Sequence, residues 1–193
     1  GIISSLLDFA RMEAGKLRFE FTGQRLGNAI EEVLGVLHPI ASAKQIKIAM
    51  LIPQDLPQIY MDSGLMHRVF LNLLDNAIKF SPPQGEITIK GILQNEEVRV
   101  EISDSGPGIP PEKILRVKEP FFQADASDTR KTGGLGLGLA IVEKILEGHH
   151  TKLGIESTIG KGTCVHFILR KVKRSSSGKM LAFAPGPSEK SPS

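Results

Sequence analysis

Tryptophan is absent and tyrosine occurs once in the 193 residues. So few aromatics make a base-stacking platform for nucleic acid a poor fit, and no nucleic-acid partner is expected. Cysteine also occurs once, at Cys164. That excludes an intrachain disulfide framework and a cysteine-rich metal site. No run approaches the roughly 18 consecutive apolar residues of a membrane span. The opening GIISSLLDFA lacks a basic leader and does not read as a signal peptide. A cytoplasmic setting is therefore the default expectation. Charge of one sign is scarce too: the net value is only +3, much of it from Arg170, Lys171, Lys173 and Arg174. Such a short run reads as a solvated flank rather than a broad basic face. Neither G-x-x-x-x-G-K-[ST] nor G-x-G-x-x-G after a first strand occurs, so a P-loop and a dinucleotide-binding site are not supported.

What is present centres on Leu65 to Phe80, LMHRVFLNLLDNAIKF. At about 100° per residue, Val69, Phe70, Leu71, Leu73, Leu74, Ala77 and Ile78 fill one apolar arc of a helix. Arg68, Asn72, Asp75, Asn76 and Lys79 crowd the opposite arc, while His67 falls among the apolar residues. Asn72 and Asn76 stand one turn apart, with Lys79 further along. Asparagine is a poor helix former, so two stacked amides beside a lysine suggest a polar site, although a wet surface stripe that happens to contain Asn has the same pattern.

The flanking elements follow from spacing. Residues 1–14 read as a helix stopped by Gly15, and Leu17, Phe19 and Phe21 as a short strand. A helix is expected over 26–43, with Ile30, Val33, Leu34, Leu37 and Ile40 inward and Pro39 kinking or shortening it. Ile46 to Ile52 reads as a strand, and PQDLPQIYMD as a loop that ends in a cap, Asp62 or Ser63. Glu86 to Ile92 and Glu97 to Ser103 read as a hairpin. Glu112 to Val117 reads as a short helix, 118–135 as a long loop, and Gly136 to Glu147 as a helix. Lys152 to Thr158 and Thr163 to Leu169 are strands around Ile-Gly-Lys-Gly. His149 and His150 read as solvated turn residues. From Ser175 onward 11 of 19 residues are Ser, Gly or Pro, which predicts a disordered tail. Several helices without βαβ alternation predict an α/β (α+β) two-layer sandwich with a mixed, mostly antiparallel sheet.

Two glycine-rich segments carry chemistry. Asp104-Ser-Gly106-Pro-Gly108-Ile109 ends a strand. A carboxylate there can accept from an exocyclic amine such as that of adenine, and the glycines permit close approach to a flat ring. Alone, the signal is weak, because an Asp-Ser-Gly turn is common. Thr132 to Ala140, TGGLGLGLA, runs into a helix. Unpaired N–H groups at a helix N-terminus suit phosphate, although a flexible hinge has the same composition.

The order of these segments decides the matter. Asn72-Leu-Leu-Asp-Asn76-Ala-Ile-Lys79-Phe80 is followed by Asp104-Ser-Gly-Pro-Gly-Ile109-Pro110, Glu119-Pro-Phe121-Phe122, Gly134 to Ile141, and Gly160-Lys-Gly-Thr163. In that order they resemble the N, G1, F and G2 boxes and closing turn of the ATP-binding catalytic domain of sensor histidine kinases, in the superfamily shared with gyrase and mismatch-repair ATPases (the Bergerat fold). The resemblance runs from about residue 1 to 170. It implies Mg-ATP as ligand, with Asp104 on the adenine amine and Asn76, with Asn72 beside it, holding Mg²⁺. Lys79 would offset phosphate charge, and Arg130 or Lys131 on the loop over 120–135 would reach the γ-phosphate. Gly106, Gly108, Ile109, Phe121, Gly134, Leu135, Gly136, Leu137, Gly138 and Thr163 would line the nucleotide. Asn72 stands where the hydrolysing members carry a Glu. An amide is a poor general base, which favours transfer over hydrolysis.

Some positions depart from the pattern. Lys118 stands where many members have Phe, and Leu135 where Thr is frequent. None of His38, His67, His149, His150 and His166 has the setting of a phosphoacceptor. Residues 1–16 resemble the end of the second helix of a dimerisation hairpin, so the acceptor His is expected outside this chain, on the same or a partner kinase. Residues 17–172 would then be the catalytic domain and 173–193 a tail. The expected partners are a response regulator receiver domain and a second copy of the full-length protein, which a membrane anchor could hold. A silent nucleotide-binding regulatory module and an ATP hydrolase of the same superfamily are the alternatives.

Overall fold

A computed structural model describes Leu6, Phe9, Ala10, Met12, residues 17–123 and residues 135–172. The strands are β1 (Phe21–Gln24), β2 (Lys47–Leu51), β3 (Ile59–Asp62), β4 (Glu86–Gln94), β5 (Glu97–Asp104), β6 (Gly154–Thr158) and β7 (Gly162–Arg170). Among the described residues the helices with given bounds are α1 (Leu26–Ala43), α2 (Ser63–Phe80) and α3 (Gly138–Gly148), and Leu6, Phe9, Ala10 and Met12 are helical as well. Five strands form one sheet in the order β2-β4-β5-β7-β6, and β1 pairs with β3 in a two-stranded ribbon. Only β2 and β4 run parallel in the large sheet; its other pairings are antiparallel. This is the two-layer α/β sandwich expected. Among the described residues no helix is long and apolar enough to cross a membrane.

The helix α2 holds the centre. It packs on α1, on α3 and on β5. Its buried side is Met66, Val69, Phe70, Leu73, Leu74, Ala77 and Ile78, nearly the arc that helical spacing predicts. Phe70 is fully buried and its ring centroid lies 6.1 Å from that of Phe167 on β7. Truncating such a side chain to Ala costs about 3–5 kcal/mol. Asp62 starts the helix by accepting from the Leu65 N–H at 2.9 Å. Lys44, just beyond α1, finishes it: its ammonium donates to the carbonyls of Ile78 at 2.9 Å and Lys79 at 2.7 Å. That satisfies two of the carbonyls a helix end leaves open and places a cation at the negative end of the dipole.

Several expectations are corrected. The strand read at Leu17, Phe19 and Phe21 starts at Phe21; ahead of it the Glu20 N–H donates to Asp62 Oδ2 at 2.7 Å rather than to a ladder. The loop before α2 contains β3, a four-residue strand too short to announce itself. Ile40 is 53% exposed and Ala41 turns inward instead, because the buried row of α1 continues Leu26, Ile30, Val33, Leu37, Ala41. Pro39 lies within α1, on its exposed side, without ending it. Glu112 to Val117 resolves into two 3-10 turns, Pro111–Lys113 and Arg116–Lys118. The helix expected from Gly136 starts at Gly138, since Gly136 has φ +68°. His149 is buried rather than solvated. The stop at Gly15 and the tail from Ser175 lie outside the described residues.

Candidate nucleotide site

Asp104 is the last residue of β5, opposite Thr163 in the register with β7. Its Oδ1 accepts from the Gly106 N–H at 2.7 Å and from the Thr163 N–H at 3.3 Å. Among the described residues nothing bonds to Oδ2, which leaves that oxygen to accept from a ligand. Burial pushes the Asp104 carboxyl above the usual carboxylate range, and the two N–H groups pull it back. Gly162 has φ +99°, and a Cβ there would stand 2.0 Å from the Asp104 carbonyl oxygen. Only glycine lets the β6–β7 turn close on Asp104 in this way.

Ser157 ties this end together. Its Oγ accepts from the Ile109 N–H at 2.8 Å and donates to the Gly162 carbonyl at 3.0 Å; the Thr163 hydroxyl lies 2.8 Å away. The Gly160 N–H donates to the Pro107 carbonyl at 2.7 Å. The loop 104–110 is thus sewn to the β6–β7 turn. Sequence reading gave Ser157 no role, because a serine inside a strand carries no local signal.

Asn72 and Asn76 lie on α2 and are both half-buried. The Asn72 Nδ2 donates to the Arg68 carbonyl at 2.8 Å. This fixes the amide, and its Oδ1 faces the first residue of α3: a Cβ at Gly138 would lie 3.0 Å from that oxygen. The structure therefore brings an amide oxygen against the N-terminus of α3, the polar end suited to phosphate. Asn76 bonds to no other side chain among the described residues. Neutral amide oxygens of this kind fit Mg²⁺ carried by a nucleotide, since that ion keeps waters and phosphate oxygens as its main ligands. Among the described residues no group of three His, Cys, Asp or Glu could hold a metal.

The other candidates divide. Phe121 meets the glycine segment through its backbone, donating from N–H to the Gly136 carbonyl at 3.1 Å. Its ring is 59% exposed and points away toward Phe9, 6.3 Å between centroids. A Cβ at Gly136 would come 2.6 Å from the Phe122 carbonyl oxygen, so this crossing requires glycine. Leu137 is buried in the core and Leu135 packs against it, which leaves their backbones to line a ligand. Gly106 is buried, and Gly108 lies against the Thr158 carbonyl. Lys79 is half-buried, its ammonium 5.2 Å over the Phe80 ring. Arg130, Lys131 and Gly134 lie outside the described residues.

Comparison with known proteins decides the family. Residues 61–173 match the histidine kinase-, DNA gyrase B-, and HSP90-like ATPase family. The chain belongs to this family. Among its relatives, the adaptive-response sensory kinase SasA of Gloeothece citriformis is 37% identical over 169 residues, 87% of this chain and 42% of that kinase. The present chain thus spans less than half of that relative. Among solved structures, full-length ShkA in complex with AMPPNP superposes with a TM-score of 0.78 at 28% identity, covering 88% of this chain and 35% of ShkA. The isolated catalytic domain of histidine kinase ThkA gives 0.70 at 29% identity, covering 79% of this chain and 96% of that domain. ThkA in complex with response regulator protein TrrA gives 0.70 at 26%, covering 88% and 48%. The present domain is an ATP-binding catalytic domain of the sensor histidine kinase type.

Proposed function

We propose that this chain is the phosphoryl-donating part of a two-component sensor kinase. It binds Mg-ATP and presents the γ-phosphate to a histidine on a dimerisation helix outside this chain. The phosphoryl group then passes to an aspartate of a response regulator receiver domain; the complex of ThkA with TrrA supports that class of partner. The observation that carries the reading is the pairing of an acceptor carboxylate at Asp104 with an amide, not a carboxylate, at Asn72. Asp104 Oδ2 would receive the adenine amine. The start of α3 and Lys79 would oppose the phosphate charge, and Arg130 would reach the γ-phosphate. Asn76 and Asn72 would hold Mg²⁺, which when bound screens the charge on the transferring group. With no carboxylate base at position 72 to activate water, transfer is favoured over hydrolysis.

Residues 1–16 would end a dimerisation hairpin, 17–172 form the catalytic domain and 173–193 a tail. The full-length protein would be a homodimer. Because ATP is the substrate, we assign the domain to the cytoplasm, whatever anchors the rest. The test mixes this chain with a helical hairpin bearing the acceptor histidine and γ-labelled ATP. Acid-labile label on the hairpin is expected, and its loss in Asn76→Ala. No label on a matched hairpin, with tight ATP binding retained, would favour a silent regulatory module instead.

A further inference from the structure

Lys118 ends the second 3-10 turn, just before Glu119, and Glu143 lies midway along α3. The two side chains are only 25% and 20% exposed, and Lys118 Nζ stands 2.6 Å from Glu143 Oε1. The same ammonium donates to the Leu153 carbonyl at the root of β6. Glu143 Oε1 is withdrawn from solvent and takes no hydrogen bond of good geometry, so the Lys118 charge is what compensates it. A carboxylate in that position without a cation is costly, and screening by salt reaches it poorly. The Phe121 N–H to Gly136 carbonyl bond ties the same two segments a few residues away. Beyond that tie, Gly138 meets Asn72.

We propose that Lys118 and Glu143 are a positioning pair for the phosphate end of the nucleotide site, a role that rests on the reading above. By holding the 3-10 turn and the start of β6 against α3, the pair fixes where the first turn of α3 stands against Asn72. It has an electrostatic part as well. Glu143 lies about 7.5 Å along the helix axis from Gly138. An uncompensated carboxylate there repels a polyanion and leaves an uncharged nucleoside indifferent.

The test is calorimetric titration of ATP and of adenosine into the unmodified chain, Lys118→Met, Glu143→Gln, the exchanged pair K118E/E143K, and Asp104→Ala, with melting temperatures recorded alongside. ATP should bind Lys118→Met about tenfold more weakly, with adenosine unchanged, and Glu143→Gln with a smaller loss. The exchanged pair should recover most of the affinity. ATP binding by Lys118→Met within about twofold of the unmodified chain overturns the proposal. Equal losses for ATP and adenosine overturn it too, since they report general loosening. Should Lys118→Met fail to fold, Glu143→Gln and the exchanged pair decide by the same measures. An unmodified chain that binds no ATP, or that binds it no better than Asp104→Ala, refutes the nucleotide site itself and the positioning role with it.

Discussion

Replacing Ser157 by alanine removes three polar contacts at once. The Oγ holds the Ile109 N–H, the Gly162 carbonyl and the Thr163 hydroxyl at 2.8–3.0 Å. A hydrogen bond contributes about 0.5–1.5 kcal/mol net, and a stranded buried donor costs about 1–3. Ser157 is half-buried, so water recovers part of the loss, and about 2 kcal/mol of destabilisation is expected. The change also reaches the ligand end. Thr163, released from Ser157, supplies one of the two N–H groups that orient Asp104. ATP affinity should therefore fall by about five- to tenfold, about 1–1.4 kcal/mol. Urea denaturation should show a lower midpoint with an unchanged slope, which assigns the effect to stability rather than to an altered unfolded state. Titration with ATP supplies the second number. A midpoint shift worth less than about 0.5 kcal/mol, with ATP affinity intact, would show that the β6–β7 turn holds the 104–110 loop without Ser157.

Two further outcomes concern the end of α3. Burial lowers the pKa of His149, and its bond to the Ile145 carbonyl and the nearby Asp62 oppose that shift. With Nε2 accepting from the Asp62 N–H, the ring must stay neutral. The unfolded chain therefore takes up the proton first. Stability is fully present above about pH 6.5 and is lost as pH falls from there toward the lowered folded value. His149→Gln should flatten that part of a melting-temperature profile. His150 has φ 58° just past the helix, a conformation that costs a non-glycine residue about 1–2 kcal/mol, part of which glycine returns as unfolded-state entropy. His150→Gly should raise stability by about 0.5–1 kcal/mol in thermal or urea melts, and a loss would show that the His150 side chain has a contact of its own.

Legibility in the sequence followed the range of the interactions. The helix α2 was readable because its apolar arc repeats within one segment, and its Asp62 cap because capping acts over three residues. Asp104 and Gly138 were readable through local composition. The strand β3 was not, since four residues carry too little pattern and its partner β1 is 38 residues upstream. His149 was misread because what buries it, Phe19, Phe21 and the Asp62 N–H, comes from far away in the chain. Lys44, Ser157 and Lys118 were opaque for the same reason: a lysine or serine shows its partner only once distant segments meet. Lys118 read as a defect in a motif, and the structure supplies Glu143 as its counterpart.

The strand β3 has a consequence for how this domain can be used. The chain arrives at Glu20, bound to Asp62, and departs at Val172, whose N–H donates to the Gln58 carbonyl at 2.8 Å while Lys171 bridges to Ile59. Both are therefore moored to the same short strand, one at each end of it. A unit with neighbouring ends can be spliced between other modules without stretching. It also means that tension applied from either side is delivered to one short ribbon, whose final residue starts the helix bearing Asn72 and Asn76.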